Sequence, residues 1–279
     1  MVLKSYAKIN LSLSVRKKLT NGLHDIQSFF CLINLSDRIT IKKLKDKKSD
    51  IINFVGPHSK YVDNYNNSIQ KVLDIMRKTK LISSYYSIKV HKKIPVFAGL
   101  GGGTSNAFTV FRFLTKKRIN RNILDKIINY VGTDFRLFII KQGLLINLKK
   151  IMKFKKKHNF HFLLVYPKIK CSSKKIYVEV KKYTKNKKFT YKNFNKRDLF
   201  INHITNTKND LQLIVEKKYP ILKRLIKNIG KEKGCYLSKM TGSGSTCYGL
   251  FINESCSKAA LNSLRKKYPK FWFSIAKTI

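Results

Sequence analysis

The chain has 279 residues, with 60 Lys+Arg against 14 Asp+Glu and a formal net charge of +46. At 43% hydrophobic and 12% aromatic residues it can bury a core, in one large domain or two modest ones, which excludes a wholly disordered basic tail. No run of about 18 uncharged apolar residues is present, so no membrane-spanning helix is expected. Five cysteines (Cys31, Cys171, Cys235, Cys247, Cys256), an odd number without a Cys-x-x-Cys pair, argue against a zinc site or disulfide framework and fit a reducing cytoplasm.

The start, MVLKSYAKINLSLSV, is too polar for a signal-peptide core, and residues 3–15 alternate well enough to predict a strand. Asn21-Gly22 marks a turn. Residues 25–42 read as two short strands around a turn near Ser36-Asp37. Residues 67–78 have helical spacing through Ile69, Val72, Leu73 and Met76, and 84–91 is a strand with Tyr86, Ile88 and Val90 on one face. PVFAGLGGGTSN follows at 95–106 and leads into a helix, AFTVFRFL. Another helix is expected over 122–131, then an apolar stretch over 134–148 that ends in a strand. The polar, Lys-rich segment 149–159 is the expected boundary, giving lobes of 1–155 and 156–279. Beyond it come a buried strand at 161–167, a mobile surface connection at 180–200 and a long helix at 209–229. A strand, tight turn and strand follow across 234–252, then a helix at 257–267 and a closing strand. The mixture is α+β with two lobes and no internal repeat.

Three readings of the charge compete. A pI near 10.2 fits a nucleic-acid partner. It also fits an enzyme that gathers phosphorylated substrates. The third is compositional drift: the chain is rich in Lys, Asn, Ile, Phe and Tyr, the vocabulary of an A+T-rich genome. An RNA patch would cluster and favour Arg, which binds phosphate through two parallel bonds. Here Lys dominates, in runs such as 153–157 and 185–188 that are spread along the whole chain. Drift is the preferred reading.

The glycine loop carries the most chemical information. Four glycines between Gly99 and Gly103 have no packing value and a high entropic cost. They make sense where backbone N–H groups must approach a ligand closely. A helix follows directly, so its N-terminal N–H groups and dipole face the same point, and Thr104 and Ser105 add hydroxyls. The whole reads as a phosphate cradle. It is not a Walker A loop, since no Gly-Lys-Ser/Thr follows, nor a dinucleotide fingerprint, nor part of a protein-kinase set. A second feature is Gly132-Thr133-Asp134, a carboxylate in an apolar stretch, either a helix cap or a base that orients a hydroxyl. A third is Thr241-Gly-Ser-Gly-Ser245, a hairpin turn or a second anion-binding nest. Lys8 and His24, taken alone, read as ordinary surface residues.

Taken together, AKINLSLSV, PVFAGLGGGTSNA and MTGSGS resemble, in order and spacing, the three motifs of the GHMP kinase superfamily. NGLHDIQSFFCLINLSDRITI is similar to the corresponding segment of the 4-diphosphocytidyl-2-C-methyl-D-erythritol kinase family within it. Weaker likeness through NNSIQKVLDIM, VGTDFRLFI, LLVYPKIKCSSKKIY and NDLQLIVEKKYP extends the resemblance over most of the chain.

The resemblance implies a two-lobed GHMP kinase fold, with an N-terminal lobe like ribosomal protein S5 domain 2 and a ferredoxin-like C-terminal lobe. It implies transfer of the ATP γ-phosphate to the 2-hydroxyl of the cytidyl substrate, in the non-mevalonate route to isoprenoid precursors, with Mg²⁺ bridging phosphate oxygens and no protein cage for the metal. By motif position Asp134 is the catalytic carboxylate and Lys8 its partner. Pro95, Val96, Phe97, Ala98, Gly99, Leu100, Gly101, Gly102, Gly103, Thr104 and Ser105 form the ATP-phosphate loop. Asn67 and Ile69 line the adenine pocket, Asn10 and His24 face the substrate, and Tyr177 stacks on cytosine. A small-molecule partner is thus expected, with neither nucleic acid nor membrane. The chain departs from the family pattern at Phe97 and Ala98, where glycines are usual, at Leu23, often aromatic, and at Arg136, usually Pro. INLKKI stands in place of an acidic stretch. A homoserine- or mevalonate-type kinase is the alternative within the superfamily, and a basic RNA-binding protein the alternative outside it.

Overall fold

The computed structural model describes residues 2–116, 121–185 and 194–279. In chain order the elements are β1 (Val2–Asn10), β2 (Ser14–Lys18), β3 (His24–Leu44), β4 (Ile51–Val55), α1 (Ser68–Lys78), β5 (Tyr85–His91), α2 (Gly102–Leu114) and α3 (Arg121–Val131). A 3₁₀ segment at Thr133–Ile139 leads to β6 (Gln142–Asn147), β7 (Lys150–Lys153), β8 (His161–Tyr166), α4 (Ser173–Val178) and α5 (Arg197–Thr205). The chain closes with α6 (Gln212–Lys218), α7 (Pro220–Gly230), β9 (Cys235–Met240), β10 (Cys247–Phe251), α8 (Glu254–Lys267) and β11 (Trp272–Lys277).

Contacts divide the chain into two units that do not follow a single cut. The first holds the residues through Ala7, Leu35–Val96 and Gly101–Ile139; the second holds Lys8–Asn34, Phe97–Leu100 and Ile140–Ile279. The contacts therefore do not divide at the expected boundary, residue 155. Segment 149–159 is no linker, because β7 pairs antiparallel with β6 and Phe154, His158 and Phe160 are buried.

In the first unit β5 lies between β4, its parallel partner, and the second half of β3, its antiparallel partner (Arg38 opposite His91 through Leu44 opposite Tyr85). Helices α1, α2 and α3 pack together, α1 burying Ile69, Val72, Leu73 and Met76 along one stripe. In the second unit the first half of β3 pairs with β2 and β6. A separate antiparallel sheet runs β11-β8-β10-β9, with α7 on β9 and β10 and α8 on β8 and β11. Within this unit Phe29, Phe154, Phe160, Phe194 and Phe200 form a cluster, with ring centroids 5.0–6.2 Å apart.

Four expected elements come out differently. Residues 3–15 form two strands, broken where Leu11 N–H and Ser12 N–H both turn to the carbonyl of Phe29. Residues 25–42 belong to one 21-residue strand, since Asp37 is fully buried and accepts from Lys92, Lys93, Ile94 and Asn106 instead of turning the chain. The long helix at 209–229 is two, because Pro220 has no N–H to continue α6 and instead starts α7. The connection at 180–200 is not a surface segment throughout: Val180, Phe194 and Phe200 are buried, while 186–193 lies outside the described residues, as does part of the lysine run 185–188.

Candidate functional site

Three sequence motifs that lie up to 231 positions apart meet in the second unit. Strand β1 ends at Asn10, whose backbone N–H donates to Thr241 Oγ1 at 2.9 Å. The Asn10 side chain accepts from Lys8 Nζ and donates through Nδ2 to Ser28 Oγ at 2.8 Å. Its amide is therefore fixed at both ends. Lys8 and Asn10 are both buried, and the Lys8 backbone N–H donates to the carbonyl of Leu100 in the glycine loop.

The loop in turn sits on the 241–246 turn. Thr246 N–H donates to the Ala98 carbonyl and Cys171 N–H to the Phe97 carbonyl. Gly99 has φ +74°, and a Cβ there would run into the carbonyl oxygens of Thr241 and Gly244. A Cβ on Gly242 would come within 3.1 Å of Lys8 Nζ and 3.0 Å of the Gly99 carbonyl. Only backbone fits between these strands of chain. Asn209, not anticipated as a site residue, holds the turn from behind by donating to the carbonyls of Met240 (2.9 Å) and Gly242 (2.8 Å).

Within the first part of the loop Pro95, Ala98 and Leu100 are buried, Val96 is half-buried and Phe97 is exposed, with φ +58°. That is a left-handed conformation disfavoured for a side chain by about 1–2 kcal/mol.

The rest of the loop enters the first unit, where α2 begins. Gly101 stands at its N-cap with φ +69° and no side chain to accept from the first N–H groups. By contrast α1 is capped by Asn67 and α8 by Asn253. The α2 end thus presents backbone donors and the positive pole of the helix dipole, a fit for phosphate oxygens. Gly103 is exposed and Thr104 half-buried, but Ser105 Oγ points inward, donating to the Tyr6 carbonyl (2.6 Å) and accepting from Ser5 Oγ (2.8 Å). Its hydroxyl serves the fold of the loop.

The same unit brings the 67–69 segment beside the helix start, since a Cβ on Gly103 would lie 3.6 Å from Ser68 Oγ. Asn67 Oδ1 accepts from Ile69 N–H and Gln70 N–H, both at 3.0 Å, and Ile69 is buried. Asp134 lies half-buried in the first turn of the 3₁₀ segment. Next to it Phe135 stacks edge-on against Phe108 and Phe111 of α2, at 5.3 and 5.7 Å, so the helix that follows the loop also anchors the backbone beside Asp134. Arg136 reaches Asp125 of α3 at 2.5 Å and ties down the other side of that turn.

His24 opens β3 in the second unit. Its ring stacks on Tyr177 of α4 at 5.3 Å and meets Tyr183 at 6.4 Å. Partial burial, helped by the charge of Lys18, lowers its pKa from the ordinary imidazole value, so it is neutral at pH 7. Leu23 beside it is exposed. Among the described residues no three His, Cys, Asp or Glu side chains lie together as a metal site, and no helix is long and apolar enough to cross a membrane.

The structure therefore groups Lys8, Asn10 and the 97–100 part of the loop with the 241–245 turn in one unit, where His24 and Tyr177 also lie. Asn67, Ile69, Gly101–Ser105 and Asp134 belong to the other. Sequence reasoning missed Ser28, Asn209 and a buried cluster around Asp37, whose partners are too far along the chain to show as a motif.

Residues 191–270 match the family described as GHMP kinases C terminal. Over 286 positions the chain is 37% identical to the 4-diphosphocytidyl-2-C-methyl-D-erythritol kinase of Pelagibacter ubique, covering 99% of this chain and 98% of that one. It is 32% identical to the enzyme of the same name from Wolbachia pipientis wMel, covering 96% and 95%. Among solved structures, a 4-(cytidine 5'-diphospho)-2C-methyl-D-erythritol kinase superposes with a TM-score of 0.75 at 21% identity, over 99% of both chains. A homoserine kinase from Cytophaga hutchinsonii gives 0.67 at 11%, over 100% of this chain and 94% of that one. The structural matches establish the GHMP kinase fold, which kinases of several substrates share; identity over the full length is what separates them. The chain belongs to the 4-diphosphocytidyl-2-C-methyl-D-erythritol kinase family.

Proposed function

We propose that the protein phosphorylates the 2-hydroxyl of 4-diphosphocytidyl-2-C-methyl-D-erythritol at the expense of ATP, a step toward isoprenoid precursors. The observation that carries the reading, beyond family membership, is the meeting of Lys8, Asn10, Gly99 and the 241–245 turn through hydrogen bonds and glycine-only contacts. RNA binding requires none of these.

ATP would supply the phosphoryl group, and Mg²⁺ bound with it would supply charge neutralisation for the transfer. Positioning and charge neutralisation are what such a reaction asks of the protein. The uncapped α2 N–H groups and the glycine backbone hold the phosphates, with Thr104 beside them. Lys8, its Nζ fixed by Asn10, places positive charge at the transferred group. Asp134 accepts or orients the proton of the attacking hydroxyl. Asn10 and the neutral His24 hold the acceptor substrate, and Tyr177 packs on its cytosine. Asn67 and Ile69 line the adenine site, with the Asn67 side chain already serving as a cap. The 1–155 and 156–279 lobes are proposed as the family's two lobes; the 191–270 match lies wholly in the second. Five free cysteines support a cytoplasmic setting.

The test is ³¹P NMR of the product formed from ATP and the cytidyl substrate. A new phosphomonoester on the 2-hydroxyl supports the reading, and an unchanged substrate spectrum with folded protein contradicts it.

A further inference from the structure

The loop from Pro95 to Gly103 leaves and re-enters the first unit, and one buried carboxylate reaches the chain at both ends. Asp37 in β3 is fully buried. Its Oδ1 accepts the backbone N–H of Lys93 (2.7 Å) and of Ile94 (2.9 Å), the two residues before the loop. Its Oδ2 accepts from Lys92 Nζ and from Asn106 Nδ2 (2.9 Å), a residue one turn into α2. Asn106 Oδ1 also accepts from Lys92 Nζ at 3.0 Å, and its Nδ2 also donates to Ser5 Oγ at 2.9 Å.

The helix start rests directly on this cluster. A Cβ on Gly102 would lie 2.9 Å from Ile94 Cγ2 and 3.3 Å from Lys92 Nζ. Lys92 and Asp37 cancel each other's charge, so the cluster adds little field at a phosphate; what it supplies is geometry. Burial lowers the Lys92 pKa and the Asp37 charge opposes that shift. A buried pair of this kind is often replaceable by apolar side chains with no loss of stability, so stability alone is a weak account of it. Its bonds converge on the entry and exit of one loop, which is what preorganisation of a site requires.

We propose that Asp37, Lys92 and Asn106 are positioning residues for phosphoryl transfer: they clamp the two ends of the glycine loop and set the aim of the α2 N–H groups. This rests on the reading of that loop as the nucleotide-phosphate site.

The test compares wild type with Asn106→Ala, which leaves the Asp37–Lys92 pair in place, and with Asp37→Asn. Folding is checked by circular dichroism, binding of a non-hydrolysable ATP analogue by calorimetry, and KM separately for ATP and the cytidyl substrate. The expected result is a loss of about tenfold or more in analogue affinity and a matching rise in KM for ATP, with KM for the cytidyl substrate within about twofold. A folded Asn106→Ala protein with wild-type analogue affinity overturns the clamp, and so does an equal shift in both KM values. Should Asp37→Asn fail to fold, Asn106→Ala decides alone. Wild type that binds the analogue but leaves the cytidyl substrate untouched removes the proposed function and still lets the affinity comparison judge the clamp.

Discussion

Only 14 residues carry a carboxylate, and several of them are committed to structure. Asp50 holds Arg77 and the Tyr86 N–H, Asp210 holds the Val15 N–H and Thr184 Oγ1, and Asp37 holds the loop ends. Asp134 sits half-buried at the start of a turn that Phe135 packs against Phe108 and Phe111. In Asp134→Asn, kcat is expected to fall by on the order of 10²–10⁴ with ATP-analogue affinity nearly unchanged. A wild-type rate in the variant removes its assigned role. At His24 the lowered pKa has a definite sign. The folded protein disfavours the imidazolium, so the neutral ring persists through the ordinary imidazole range as pH falls, and protonation below that range costs both stability and substrate contact. KM for the cytidyl substrate is therefore expected to stay flat toward pH 6.5 and rise below it, and His24→Ala to abolish that rise; a rise centred at 6.5 or above contradicts the shift. Lys8, Asn10, Gly99 and His24 were singled out as candidate site residues by the short motifs that carry them. Asp37 was not: Ser36-Asp37 looks locally like a turn, and its partners lie 55 to 69 positions away.

The elements that hold the site follow simple local rules where those rules act alone. Asn67 starts α1 because its side chain satisfies two of the helix's N–H groups, and Pro220 divides the 209–229 helix because it lacks a donor. Where tertiary bonds compete, local signals fail. Strand β3 continues through Asp37 because the 92–94 segment and Asn106 satisfy its carboxylate, and β1 stops at Asn10 because Leu11 and Ser12 turn toward Phe29. The glycine loop shows both effects, since its composition announces a close approach but not what approaches. The structure supplies the 241–245 turn. Gly99→Ala is expected to force the loop off that turn and lower kcat/KM for ATP by about 10²-fold, in a protein that still melts cooperatively. An unchanged kcat/KM means the contact does not matter to the chemistry.

For the molecule as a whole, the charge of +46 is far larger than one phosphate site requires. Its screening gives a direct expectation: the melting temperature rises as KCl is added from low salt to about 0.5 M, through relief of self-repulsion, whereas a fold indifferent to salt contradicts that account. The α+β mixture and the kinase family were legible from the motifs, but the division of contacts was not, because β1, β3 and the glycine loop each contribute to both units. The fold is shared with homoserine and mevalonate kinases, so specificity is where the central claim is exposed. The decisive measurement is ATP-dependent turnover of the purified protein with 4-diphosphocytidyl-2-C-methyl-D-erythritol, homoserine and mevalonate side by side. The account predicts a kcat/KM for the cytidyl substrate at least about 10³-fold above the other two; comparable turnover of homoserine or mevalonate, or none of the cytidyl compound, contradicts it.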